Sequence, residues 1–160
     1  MNRLCNGIDQ HLTTLLNALL AFLVMDVTWQ VITRFLLADP SSITEELARF
    51  LLIWIGLVGA AQAYRHKMHL GIDLLAQKLN PVQGIWLNRF IHACCLLFAI
   101  SILIIGGCNL MWLTWTLEQF SPAMHLPMAL VYAALPLSGV LICLYAVQFI
   151  IDPTAAGVTE

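Results

Sequence analysis

Residues 44–73 read TEELARFLLIWIGLVGAAQAYRHKMHLGID. Glu45, Glu46 and Arg49 lead into a run, Phe50 to Tyr64, that holds no charged residue, and Arg65, His66 and Lys67 follow at once. A helix over 47–64 rises ~27 Å at ~1.5 Å per residue, close to the ~30 Å of a bilayer's hydrocarbon. In lipid the backbone must satisfy its own hydrogen bonds, so the run is a helix. It is a membrane span with charges fixed at both ends.

The rest of the chain extends this reading. It has 160 residues, 61% of them hydrophobic and 10% charged, with a mean hydropathy of +0.86. Soluble domains are about a quarter charged, and one this apolar would expose large adhesive patches. The apolar residues come in long runs over 12–37, 47–64, 90–113 and 127–151. The fold class is therefore an all-α integral membrane protein, one four-helix membrane domain over 1–160. The first run carries Asp26 and Gln30, and the fourth stops at Asp152-Pro153. Pro136 lies inside the fourth run and should kink it, whereas Pro127 suits a first helical turn. Residues 1–10 hold Arg3 as their one basic side chain and lead into a run too long for a cleavable signal, which points to a retained signal-anchor. The net charge of −2 gives no case for nucleic acid. The five cysteines form no CxxC pair, and four of them fall in apolar runs as small packing residues.

Between the second and third runs, Leu70, Ile72, Leu74, Leu75 and Leu79 alternate with Asp73, Gln77 and Lys78. This predicts a short amphipathic helix over 68–80, lying in the membrane interface and ending near Asn80-Pro81, with Trp86 at headgroup depth. Four spans place both termini and this middle segment on one side. That side holds Arg3, Arg65, Lys67, Lys78 and Arg89, and the other holds Arg34 and Arg49. The positive-inside rule then puts both termini in the cytoplasm.

Few side chains invite chemistry. Ser42 and Glu45 have capping-box spacing, and Arg49 is within helical reach of both Glu45 and Glu46. The cluster either caps the helix and neutralises the arginine or contacts another subunit. Gly56, Gly59, Ala60 and Ala63 form a small-residue face on which a second helix, of this chain or another, can pack closely. Trp54 is a belt or packing residue. Asp26 is an intramembrane carboxylate and hence a functional candidate by default. With no second acid at similar depth, it is better read as bonded to Thr28, Gln30, Asn109 or a partner chain. His66 and His69 lack the further ligands of a metal site, so no metal is expected. His11 and His92, near the ends of spans, can in principle ligate a haem. No GxSxG, P-loop, Rossmann or HExxH pattern appears, and no catalytic residue is assigned.

These residues resemble a known family. Gln30-Val31-Ile32-Thr33-Arg34-Phe35, Glu45-Glu46-Leu47-Ala48-Arg49, Trp54, Gly59-Ala60-Ala61, and Arg65 with His69 and Asp73 look like the signature of the small, DctQ-type membrane subunit of tripartite ATP-independent periplasmic (TRAP) transporters. Phe120-Ser121-Pro122-Ala123, followed by Val131-Tyr132-Ala133-Ala134-Leu135-Pro136, resembles its fourth-helix pattern, while Ile43 stands where many relatives carry tryptophan. The resemblance implies a bacterial inner-membrane scaffold subunit without enzymatic activity or a cofactor of its own. It implies a large multi-helix partner that binds substrate and couples to sodium, a periplasmic substrate-binding protein, contact with membrane lipids, and an organic acid as cargo. A short, separately encoded small subunit leans toward sialic acid or another sugar acid. In that setting Glu45, Glu46, Arg49, Trp54, Arg65, Lys67, His69 and Asp73 are the candidate anchor and partner residues. Two other readings compete: a haem- or quinone-binding anchor of a redox enzyme using His11 and His92, and a self-contained small transporter centred on Asp26.

Overall fold

The structure, a computed structural model, describes residues 2–36, 41–66 and 81–151. The interfacial helix expected over 68–80 lies outside these residues, as do Lys67, His69 and Asp73. Helix α1 is Asn2–Leu36 and α2 is Ser42–Arg65. Helix α3, Pro81–Phe98, runs without a break into a π-helical segment, Ala99–Gly106, and then α4, Gly107–Thr116. A loop leads to α5, Met128–Tyr132, and α6, Ala134–Ile151. Among the described residues, four helical stretches are long and apolar enough to cross a membrane: Asp9–Phe35, Ser42–Arg65, Arg89–Thr116 and Met128–Ile151. The chain is thus all-helical with four membrane spans, as its hydropathy requires.

The spans are ordered first, second, fourth, third across the protein. Helix α1 packs on α2, α2 on α6, and α6 on α3 and the π segment. The first and third spans form the two edges. Helix α1 touches the rest along a narrow seam of Leu12, Leu16, Leu19, Leu23, Asp26, Gln30 and Thr33, and the other side chains from 11 to 35 are exposed. The alternating spacing of four and three is a heptad seam, which belongs to left-handed knobs-into-holes packing. Against it α2 sets Ala48 and Leu51, while Val58, Ala61 and Tyr64 turn toward Leu141, Tyr145, Ala146 and Phe149 of α6. Lipid tails are as apolar as leucine, so close packing and polar bonds hold these helices together, not water exclusion.

The third and fourth spans meet most tightly at two glycines. A Cβ on Gly139 would lie 2.8 Å from both Leu103 Cβ and Ile104 Cγ1 in the π segment. A Cβ on Gly107 would lie 2.8 Å from Leu135 Cβ and 3.0 Å from Pro136 Cδ. Pro136 also explains why the fourth span is in two pieces. Having no N–H, it leaves the Tyr132 carbonyl without its helical donor, and the helix is interrupted at Ala133 before α6 begins. Pro127 is the N-cap residue of α5, not part of its first turn.

Candidate functional site

Among the described residues, the polar side chains gather at three places, and each joins separate parts of the chain. The first lies in the α1–α2 seam. Gln30 donates from Nε2 to Asp26 Oδ2 at 2.9 Å and to the Thr44 carbonyl at 2.8 Å. The carboxamide thus satisfies the intramembrane carboxylate and ties α1 to the first turn of α2. A polar group in a heptad seam fixes register, because sliding either helix would break the Gln30–Thr44 bond and leave polar groups unpaired in an apolar setting. Asp26 pairs with Gln30, one of the partners its depth suggested, while Thr28 bonds the Val24 carbonyl within its own helix. Replacing Gln30 with leucine should cost about 1–2 kcal/mol by stranding Asp26, whereas leucine at both positions should recover most of that loss. Thermal unfolding in detergent compares the three variants, and an additive double variant would refute the pairing.

The second place divides the acidic pair. Glu45 is exposed and Glu46 is buried. Glu46 Oε2 accepts hydrogen bonds from the Ser121 hydroxyl and from the backbone N–H groups of Ala123 and Met124, the last two at 3.1 Å each. Ser121 is 1% exposed. The carboxylate therefore sits in the turn between α4 and α5, filling it as an anion fills a backbone nest. The turn has its own frame: Ser121 N–H to the Leu126 carbonyl at 2.9 Å, Met128 N–H to the Gln119 carbonyl at 2.9 Å, and a bridge between Phe120 and Pro127. Glu118 and His125 take positive φ values of 49° and 52° to close it.

This arrangement corrects two expectations. The α2 N-cap is Ser41, with no side-chain cap bond, so Ser42 and Glu45 form no capping box. Neither Glu45 nor Glu46 forms an ion pair with Arg49 among the described residues, and Arg49 is exposed. Glu46 instead turns toward amide donors in a loop that holds no Lys or Arg. Ser121-Pro122 is the visible trace of that loop's turn, but its pairing with a residue 75 positions away carries no sequence signal.

The third place is the opposite end of α2. Tyr64 Oη and His92 Nδ1 are 2.6 Å apart, and the His92 ring stacks on Phe149 with centroids 5.0 Å apart. Arg65 donates from Nη1 to Gln148 Oε1 at 3.0 Å and lies over the Tyr145 ring, 5.6 Å from its centroid. His66 is 3.3 Å from Asp9, and Gln62 donates to the Thr13 hydroxyl, so this end of α2 is also tied to α1. Arg65 is thus anchored within the chain. His92 is engaged with Tyr64 and Phe149, and His11 is exposed on α1, a poor arrangement for an axial pair on one haem. Trp54 is half-buried and packs on the α2–α6 core. Gly56 and Ala60 are exposed, and a Cβ on Gly56 or Gly59 would meet nothing within 4 Å. Among the described residues, the two glycines of this face therefore make no close helix approach. The close intrachain approach falls instead at Gly107 and Gly139, which the sequence reading did not single out.

The model of the DctQ component of the tripartite ATP-independent periplasmic transporters matches residues 23–155. A Haemophilus influenzae protein, provisionally assigned as a TRAP transporter small permease protein, is 31% identical over 144 residues, 89% of this chain and 86% of its own length. The sialic acid TRAP transporter small permease protein SiaQ of Vibrio cholerae is 39% identical over 79 residues, 49% of this chain and 44% of its own. The C4-dicarboxylate TRAP transporter small permease protein DctQ of Rhodobacter capsulatus is 31% identical over 105 residues, 65% of this chain and 45% of its own. The chain thus spans less than half the length of the latter two. The isethionate TRAP transporter permease protein DctMQ of Oleidesulfovibrio alaskensis is 30% identical over 95 residues, 59% of this chain but 15% of that longer protein.

Proposed function

The chain belongs to the DctQ component family of the tripartite ATP-independent periplasmic transporters, a transporter component and not an enzyme, and from that premise we propose that it is the small scaffold subunit of a binding-protein-dependent secondary transporter importing an organic acid. It holds a large multi-helix permease subunit in the bacterial inner membrane and contributes to the outer face on which a periplasmic substrate-binding protein docks. Sodium coupling belongs to the large subunit. Both termini are cytoplasmic, which places the Glu46 loop outside and the Tyr64–Arg65 cluster at the inner edge. Arg65 and Lys67 then lie near anionic headgroups.

The observation that carries this reading is the engagement of Asp26 and Glu46. Glu46 is held by the loop between α4 and α5, and Gln30, which holds Asp26 within α1, also bonds the Thr44 carbonyl of α2, as in a rigid support. The match of 95 residues to only 15% of a longer permease supports a partner that is itself a large membrane protein. Relatives named for sialic acid, C4-dicarboxylates and isethionate support an acidic cargo. The SiaQ match favours sialic acid or another sugar acid. The test is mild-detergent purification with the co-purifying large subunit, then uptake in liposomes with candidate binding proteins. Sodium-dependent uptake of a sugar acid that requires this chain is the expected result. Uptake at the full rate without it, or transport by this chain alone, would refute the scaffold role.

A further inference from the structure

The loop that Glu46 braces also shapes a cleft at the end of the third span. The cleft encloses about 390 Å³ and is lined by Thr114, Trp115, Glu118, Gln119, Phe120 and Pro127. That volume lies within the ~300–1,000 Å³ of small-ligand sites. Backbone bonds hold its frame: the Glu118 N–H donates to the Trp115 carbonyl at 3.1 Å, and the Gln119 N–H donates to the Thr114 carbonyl at 3.0 Å. The rings of Trp115 and Phe120 are 64% and 56% exposed, so they are open to a ligand. Glu118 is exposed too and makes no ion pair among the described residues, and residues 114–126 hold no Lys or Arg. Tryptophans mark the depth. Trp86, near the start of the same continuous helix, is exposed and lies ~40 Å from Trp115 at ~1.5 Å per residue. That separation matches the ~40–45 Å of a bilayer with its headgroups, and exposed tryptophan at both ends of a span belongs to the interfacial belts. The cleft therefore lies at headgroup depth. Behind it the third span, an edge helix, exposes Leu97, Ile102, Ile105, Trp112 and Leu113, bulky side chains that suit lipid tails.

We propose that this cleft binds the headgroup of an ethanolamine phospholipid, with the ammonium held between the Glu118 carboxylate and the faces of Trp115 and Phe120. Chemistry selects the occupant. Aromatic faces beside a carboxylate attract a cation. A position at headgroup depth, continuous with an exposed apolar helix face, makes a lipid the source of that cation. The carboxylate also repels anionic headgroups, so the site discriminates among lipids. The Trp115 indole N–H and the Gln119 carboxamide add donors suited to the lipid phosphate. A lipid held there fixes the depth of the third span in the bilayer. The inference goes beyond the scaffold reading and stands without it.

The experiment delipidates the full chain in mild detergent, reloads it with phosphatidylethanolamine or phosphatidylglycerol of the same acyl chains, and counts retained lipids by native mass spectrometry. The ethanolamine lipid should be retained about fivefold better. Glu118→Gln should abolish that preference, and Phe120→Ala should reduce it about threefold. The Glu118 side chain makes no bond among the described residues, so Glu118→Gln should melt like the wild type in lipid-free detergent, which separates lost binding from lost folding. Carbodiimide, which condenses a carboxylate with a primary amine in contact with it, should place an ethanolamine-lipid adduct on the peptide that contains Glu118. Equal retention of the two lipids, or a preference that survives Glu118→Gln, would overturn the inference. So would a carbodiimide link from Glu118 to a lysine of a co-purifying protein, which would assign the cleft to a protein instead of a lipid.

Discussion

Replacing Glu46 with alanine is expected to destabilise the folded chain and to loosen the loop between α4 and α5. The carboxylate accepts from one hydroxyl and two backbone N–H groups of a single loop. Alanine removes the acceptor that these three donors share, leaving Met124 N–H only a longer, 3.4 Å contact with Ser121 Oγ, and donors that lose their acceptor cost more than the bonds contributed. Glu46→Gln keeps an oxygen at the same reach but loses the charge, so about half the loss should remain. Ser121→Ala removes one donor and leaves two, for about 1 kcal/mol. The combination of Glu46→Ala with Ser121→Ala should cost less than the sum, because the hydroxyl and the carboxylate serve one another. Two measurements follow this: thermal unfolding of the purified chain in detergent, and protease cleavage within residues 117–127. A Glu46→Ala chain with wild-type melting and an uncut loop would show that the nest holds itself closed without the acid.

The four spans were legible because their signal is local. Runs of apolar residues with charges at the ends need no knowledge of neighbours. The pairing of Asp26 with Gln30 was half legible, since a costly acid within a span must find a partner and few polar residues lie at its depth. The role of Glu46 was not. Glu45 and Glu46 are adjacent and chemically alike, and a rotation of ~100° about the helix axis sends one outward and the other into the loop. Only the packing of α2 against the α4–α5 turn decides which is which. The same limit hid the π-helical segment. Nothing in Ala-Ile-Ser-Ile-Leu-Ile-Ile-Gly distinguishes a wider turn from an ordinary one. Small residues left a choice open in a related way. Gly56, Gly59, Ala60 and Ala63 follow the spacing of a helix-packing face, yet the intrachain contact falls at Gly107 and Gly139. Spacing marks where a close approach is possible; the neighbours decide where it occurs.

Gly139→Val should be among the most damaging apolar substitutions, costing about 3 kcal/mol, at the upper end of overpacking effects. Even the alanine Cβ would sit 2.8 Å from two atoms of the π segment, Leu103 Cβ and Ile104 Cγ1, with the Ile104 backbone nitrogen at 3.3 Å. Leu103 Cβ is fixed to its backbone, so no rotamer change relieves that contact and the two helices must separate. Gly107→Val should behave similarly, because its Cβ would press on Leu135 Cβ and the Pro136 ring, where the chain is already interrupted. Separation at either place forfeits the close packing that holds the third span, an edge helix, on the fourth. Because Pro136 has removed a main-chain bond there, α6 has less to resist the shift. Gly56→Val is the matched control: the residue types and the change are the same, but the site is open, and the isolated chain should lose nothing, since valine has the better helix propensity. Thermal melting of the three variants in one detergent gives the comparison. Equal losses at all three positions would mean that valine acts through the helix backbone and that the 2.8 Å approaches carry no weight. A loss confined to Gly107 and Gly139 would place the tight joint of the scaffold between the third and fourth spans.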